Sequence, residues 1–428
     1  MDNSRAQKIK LFFLILFIML STCSGLVTIN TDRLIARISW ILIIVLFVFL
    51  LAGCFKGNAY RISKKVIVWT GLFSISLICT MLFSEKAFNV NYFQRIILLA
   101  SCVLIVCKYN FFKFMDSYVC VMRVLAIVSL LGMVFQPFIL SSSLFPSFYS
   151  SHIEYKWFFL CNVSSHLARN FGPFWEPGAY QIFLNVALFY LFRFSKKVSV
   201  FDIGLFALTV LTTKSTTGIL VLGLIFVYYL FDNKFKPSSP YGSRSLYVYN
   251  KKIKLCIIFA GIAVVFYLIS SPDLIWLLFD KISSFIQNSS QMNSSNVSMY
   301  VRFYGIFANV ELFLQKPLFG WGIEGVVEQF EKTVGFTSNT CTFLAFASTY
   351  GIIPFIFYCR LLFGAVKVEK GFIKRVIYIA IFVVILFTEN LLVSFMFWII
   401  LLYDSNILKN LSKKRIRKRL KNKRRTKR

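Results

Sequence analysis

The chain has 428 residues, 58% of them hydrophobic, 18% aromatic and only 15% charged. A soluble domain carries about a quarter charged residues, so this composition excludes a water-soluble globular protein and calls for lipid around the chain. A formal net charge of +31 would suit nucleic acid. The basic residues instead sit in short clusters between apolar runs and in one C-terminal tail, with no RNA-binding motif, zinc-finger spacing or DNA-reading basic helix, which argues against a nucleic-acid partner.

In chain order, apolar runs that suit membrane spans fall at 11–28, 38–54, 66–83, 95–107, 118–140, 178–192, 198–213, 217–232, 255–271, 341–363, 376–388 and 390–403. That pattern predicts an all-α polytopic membrane protein with about twelve transmembrane helices. Several runs are shorter than the roughly 20 residues of a straight span, so flanking residues extend them or they bend around a cavity. Arg5, Lys8 and Lys10 precede the first run like a signal peptide. No small-residue cleavage site after it is convincing, so that run is read as a retained helix. The ten cysteines lie mostly inside apolar runs and form no CxxC. They read as small buried hydrophobes rather than a disulfide framework. With two histidines and no acidic cluster, no metal is expected.

Lysine and arginine counting sets the orientation. With the N-terminus inside, inner loops hold Lys56, Arg61, Lys64 and Lys65, then Lys108 and Lys113, then Arg193, Lys196 and Lys197. Lys234, Lys236, Arg244, Lys251, Lys252 and Lys254 follow, then Lys367, Lys370, Lys374 and Arg375. Both termini are therefore expected in the cytoplasm. Residues 1–403 read as one transmembrane domain with outer loops at about 141–177 and 272–340, and 404–428 as a basic cytoplasmic tail. The tail suits anionic inner-leaflet lipid.

The outer segments are patterned. Ile275, Leu278, Phe279, Ile282 and Phe285 recur at helical spacing, as in a helix lying on the membrane. A second stripe, Met299, Phe303, Ile306, Phe307, Val310, Phe313 and Leu314, predicts a helix that Pro317 stops, with Arg302, Gly305 and Asn309 on its other face.

Four stretches carry possible chemistry, all on the outer side. In Arg169-Asn-Phe-Gly-Pro-Phe-Trp-Glu-Pro-Gly178 the prolines stiffen the turn, and Pro177 suits the first position of the next helix. Glu176 then stands at a helix N-terminus, either as a general base or as an N-capping carboxylate. Thr212-Thr-Lys-Ser-Thr-Thr-Gly218 offers hydroxyls to cap the next helix and Lys214 beside its N-terminus, which suits phosphate or is a polar hairpin turn. Arg302 is followed by Lys316-Pro-Leu-Phe-Gly-Trp-Gly322, whose Trp321 is read as an exposed indole that stacks on sugar or anchors at the lipid interface. Ser338-Asn339 precedes the span from Cys341, where Asn339 caps the helix or bonds a sugar hydroxyl. Glu389 and Asn390 lie between the last two spans, as functional polar residues or as a tight turn.

Taken in order, these stretches resemble the O-antigen polymerase and ligase superfamily of bacterial envelope proteins. The matching boxes are Arg169 to Gly178, Thr213 to Gly218, Arg302 with Pro317-Leu-Phe-Gly-Trp-Gly322, and the polar-Asn pair before a span running to Gly351-Ile-Ile-Pro354. The resemblance covers Arg169 to about Pro354 and the span pattern. The ligase branch has His-Asn where this chain has Ser338-Asn339, and the Glu-Pro-Gly box is more typical of polymerases, so the likeness favours the polymerase.

The resemblance implies a C-type glycosyltransferase-like helical membrane fold, with the large outer loop as a lid. It implies polymerisation of undecaprenyl-pyrophosphate-linked oligosaccharide repeats at the outer face of the bacterial inner membrane. Glu176 and Arg302 would be catalytic. Arg169, Lys214, Trp321 and Asn339 would bind substrate, with no cofactor. Partners would be the lipid-linked oligosaccharide, membrane lipid and a chain-length regulator protein. The alternatives are a ligase of the same superfamily and a polysaccharide-lipid flippase. Flippases usually carry internal repeats and charges deep in the bundle, and no convincing repeat is visible here.

Overall fold

A computed structural model describes residues 3–30, 33–55, 64–84, 89–150, 153–164, 169–195, 198–231, 294–335, 339–366, 369 and 371–403. The expected span at 255–271, the stripe at 274–286 and the basic tail lie outside these residues.

Helices form where the apolar runs fall. They are α1 (Asn3–Cys23), α2 (Gly25–Thr28), α3 (Arg33–Phe55), α4 (Lys64–Phe83), α5 (Val90–Lys108), α6 (Phe111–Val134), α7 (Gln136–Ser141), α8 (Pro177–Phe194), α9 (Val200–Thr212) and α10 (Thr216–Leu230). Further along come α11 (Ser294–Gln315), α12 (Gly322–Val334), α13 (Thr342–Tyr350), α14 (Ile352–Val366) and α15 (Phe372–Thr388), then α16 over 395–403. Four are long and apolar enough to cross a membrane: Arg5–Cys23, Arg33–Phe55, Val90–Lys108 and Phe111–Val134. At 1.5 Å per residue, the 23 residues of α3 reach about 35 Å, enough for a hydrocarbon layer of about 30 Å. Ile41, Val45, Val48 and Phe49 stand out from α3 more than half exposed. Such a face would drive aggregation in water and is at home against acyl chains.

The middle of the bundle is α8, buried around its whole circumference from Pro177 to Arg193 except Val186. A helix apolar on all sides needs neighbours on all sides. It packs against α6, α9 and α10, and α10 packs in turn against α15. Phe174, Tyr180 and Phe183 stack at one end of α8, and Phe192 stacks on Tyr229 at the other. The Tyr118 hydroxyl donates to the Phe183 carbonyl at 2.7 Å.

A polar cluster lies at each end of α8. Where α8 and α10 finish and α15 begins, Arg193 Nε meets Glu369 Oε1 at 2.7 Å with both side chains under a tenth exposed. The Tyr228 hydroxyl donates to Glu369 Oε2 at 2.8 Å, Arg375 Nε donates to the Glu369 carbonyl at 2.9 Å, and the Tyr378 ring lies 4.9 Å from the guanidinium. The other end gathers the starts of α8 and α10 and the finish of α9 and α15.

Two expected spans are corrected, and the loop expected at 141–177 holds strands. They form an antiparallel sheet in the order β1 (Ser147–Ser150), β2 (Ile153–Phe158), β3 (Cys161–Ser164). Tyr155 and Trp157 are β-formers, and Phe148 stacks on Tyr155 across the β1–β2 pair. The 118–140 run is two helices, α6 and α7, parted at Phe135 with Pro137 in the first turn of α7. Pro137 has no N–H to continue the ladder of α6.

The 341–363 run is likewise two helices, parted at Gly351 with φ +79. A side chain there would also collide with the Leu318 carbonyl. The loop before α12 fills the break: Ile352 N donates to Pro317 O at 2.8 Å and Trp321 N to Ser348 O at 2.9 Å. Irregular backbone is stable at membrane depth where protein groups satisfy it in this way. Cys161 is a free thiol that burial pushes up to about 12, so it stays protonated and unreactive.

Glu369→Ala leaves Arg193 buried without its carboxylate, a change that costs about 3–5 kcal/mol. The detergent-solubilised variant therefore melts well below the parent in a thermal unfolding scan. Arg193→Met with Glu369→Leu, which removes both charges, recovers most of that loss.

Candidate active site

The Arg169–Gly178 box is fastened from four sides. Gly25 N donates to Pro173 O at 2.8 Å, and Asn162 N donates to Gly172 O at 2.7 Å. The Asn162 amide reaches Phe174 O at 2.8 Å. Asn170 donates to Ser129 Oγ and Thr212 Oγ1, both at 3.1 Å, while its own carbonyl oxygen takes Gly172 N at 3.0 Å. A turn held by α2, β3, α6 and α9 has little freedom, which is what a positioned catalytic group needs.

Pro177 is the first residue of α8 and Glu176 its N-cap, with extended backbone (φ −154, ψ 158). The Glu176 side chain does not cap the helix. It is half-buried and accepts a hydrogen bond from the Trp175 indole N–H at 3.0 Å. The carboxylate is thus in the field of the helix N-terminus without being consumed by backbone N–H groups, as a base must be to reach a substrate proton.

Arg169 faces the Thr-rich turn. Its Nε donates to Thr213 O at 3.0 Å and one Nη to Lys214 O at 3.5 Å, the carbonyls that finish α9. Cations suit a helix C-terminus, so part of the Arg169 guanidinium braces this turn. Lys214 is exposed and takes the left-handed conformation at φ +50, uncommon for a residue with a Cβ. Ser215 then caps α10 by accepting from Gly218 N at 3.3 Å. The Gln181 side chain lies against Gly218, and Asn185 donates to the Gly218 carbonyl at 3.1 Å and to Gln181 Oε1 at 2.9 Å.

The other two stretches form a second group. Arg302 lies on α11, and its side chain is outside the described residues. Asn309, two helical turns on, is fully buried. It exchanges amide hydrogen bonds with Asn339 at 2.9 and 3.1 Å, and Ser348 donates to its oxygen at 2.8 Å. Asn339 therefore joins α11 to the start of α13.

Trp321 departs from the exposed indole that the sequence suggests. Its indole N–H donates to Leu312 O at 2.8 Å, the Lys316 ammonium stands 4.0 Å over its ring, and it packs on Leu312, Val326 and Phe330. The reason is the unexpected helix α12, which lies against α11 and takes the indole into their shared core.

The two groups meet at Glu389 and Asn390. Asn390 donates to the Asn339 carbonyl at 3.1 Å. Glu389 ends α15, is 1% exposed, and lays its carboxylate where a Cβ on Gly178 would stand. Thr342 ties the joint by donating to the Glu389 carbonyl and accepting from Leu391 N at 2.9 Å. Glu389 is the residue that sequence reasoning left undecided. The available signal was an acidic residue at the edge of an apolar hairpin.

Among the described residues no cluster of His, Cys, Asp and Glu could hold a metal ion. The long apolar helices and their lipid-suited faces define the chain as a helical membrane-embedded protein. Set beside known proteins, the chain matches no family model and no curated protein.

Gly178→Ala places a methyl group where the Glu389 carboxylate lies. Overpacking of this kind costs about 1–3 kcal/mol, so the variant melts lower than the parent. Glu389→Ala in the same chain relieves the collision and returns most of the melting temperature.

Proposed function

We propose that the chain is a bacterial surface-polysaccharide polymerase, similar to O-antigen polymerases, that acts on undecaprenyl-pyrophosphate-linked repeats at the outer face of the inner membrane. In this reading it has about twelve spans with both termini in the cytoplasm. The observation that carries the reading is the meeting of its boxes. Stretches some two hundred residues apart come to one end of the bundle, joined through Glu389 and Asn390. A second support is Glu176, held in a rigid turn with a carboxylate that caps nothing.

The reaction follows from these groups. Glu176 takes the proton of a sugar hydroxyl on the acceptor repeat. That oxygen forms a bond to the anomeric carbon of the donor chain. The bond from that carbon to the lipid pyrophosphate breaks, and its electron pair leaves with the pyrophosphate. Arg302 is placed in the reading to meet the developing charge, since guanidinium gives bidentate contacts to phosphate oxygens. Arg169 fixes the Lys214 turn, and Lys214 and Arg169 serve the same anion. Asn339 holds the α11–α13 joint at the acceptor side. Trp321 fixes the 316–322 loop and offers sugar only the part of its ring that Lys316 leaves open. The activated lipid supplies the driving force, so the step calls for no nucleotide.

The test is deletion of the gene in its native host, with a gel of the surface polysaccharide. The expected result is loss of the polymer ladder with a single repeat retained. Loss of all repeats would make the chain a ligase, and an unchanged ladder would end the proposal. In complementation, Glu176→Gln lowers polymer output by about 10²–10⁴, the range of a lost general base. Arg302→Ala abolishes the ladder.

A further inference from the structure

The outer sheet has two unlike ends. At one end the strands β1 and β2 close through Ser150 and Ile153, with the polar sequence Ser151-His152 between. At the other, Phe158 pairs with Cys161 and the two-residue turn is Phe159-Leu160. Such turns in water are made of Asn-Gly or Asp-Gly, because positive φ is easiest without a large side chain. Phe159 takes φ +48 and is 71% exposed. A bulky apolar residue in that conformation, pointed outward, is a poor choice for a water-facing turn.

The apolar turn belongs to a continuous surface. Rings follow one another from Phe138 to Phe145, Phe158 and Phe159 at centroid distances of 6.4, 5.3 and 4.8 Å. Leu144 is 80% exposed and Val134 is 72% exposed beside them. Ile127, Leu131 and Val134 carry the same apolar surface down α6, a helix long enough to cross the membrane.

The turn also reaches back along that helix rather than standing beyond it. Cys161 Sγ lies 3.8 Å from the Val128 carbonyl and 2.9 Å from where a Cβ on Gly132 would be. Val128 is six residues before the end of α6, about 9 Å down its axis.

We infer that the Phe159 end of the sheet is seated in the acyl-chain edge of the bilayer, with the Ser150 end in water. The partner is the lipid surface, continuous with the lipid-facing side of α6. The seat has a consequence for the site. Asn162, one residue beyond the pair that closes the turn, holds Gly172 O and Phe174 O. The sheet therefore sets the height of the Glu176 turn against the headgroups.

The test places the photo-crosslinker benzoylphenylalanine in the full-length protein, reconstituted in phosphatidylethanolamine and phosphatidylglycerol vesicles. It replaces Phe159, Phe49 on α3 or Tyr149 on β1 in turn. Phe49 is 68% exposed and Tyr149 is 54% exposed. Mass analysis after irradiation is expected to find phospholipid adducts at 159 and 49 and none at 149. A crosslink from 159 to a second copy of the chain, or no lipid adduct at 159 when 49 gives one, overturns the inference. So does an adduct at 149 equal to that at 159. Because the readout is lipid contact, it stands or falls separately from the polymerase reading.

Discussion

The site end of the bundle depends on one close approach, the Glu389 carboxylate against the first turn of α8. A buried carboxylate is tolerated only where surrounding groups compensate it, and here it lies beside the positive end of a helix dipole. The approach needs glycine at position 178, and it brings the end of α15 onto the start of α8. Asn390 then carries the connection to Asn339, and Asn339 carries it to α11. That joint ties the Glu176 turn to the Asn309–Asn339 pair, at the end of α15, the helix on which α10, α11 and α13 also pack.

Much of the scaffold was legible in the sequence because lipid imposes a simple rule. Among the described residues the apolar runs fall in helices, and the starts at Pro177 and Thr216 follow from proline at the first helical position and a serine cap. The stop of α11 before Pro317 follows in the same way. The breaks were harder to see. Gly351 sits in an apolar run that reads as one span, and only the loop from Pro317 to Trp321 shows why the helix must part there. The sheet was hidden because its strands are short and its turn is Phe-Leu, not the Asn-Gly or Asp-Gly of an aqueous hairpin.

The candidate residues were legible as types more than as arrangements. The Glu176 position at a helix N-terminus follows from Pro177. That its side chain caps nothing does not, because the choice turns on the neighbouring Trp175 indole. The indole of Trp321 was misjudged because its cover comes from α12, whose apolar stripe of Val326, Phe330 and Val334 lies beyond the Gly-Trp-Gly turn itself. Glu389 was undecided because a single acidic residue in a hairpin turn has no partner visible in the linear chain. The opposite end of the bundle follows another logic. Arg193 and Glu369 satisfy each other and are sealed, whereas Lys214 and Glu176 keep contact with the exterior.

The face of α3 leads to a point about change over time. Its Ile41, Val45, Val48 and Phe49 meet acyl chains, and a fluid of hydrocarbon does not distinguish one branched side chain from another. Exchanges among them leave packing untouched, so drift there is nearly neutral. In α8 every direction meets a fitted neighbour, and the same exchange opens a hole or forces a collision. Two clocks therefore run in one chain. The periphery keeps its apolar character while losing its letters, and the ancestry of such a protein is preserved in the interior and in the turns at the site end.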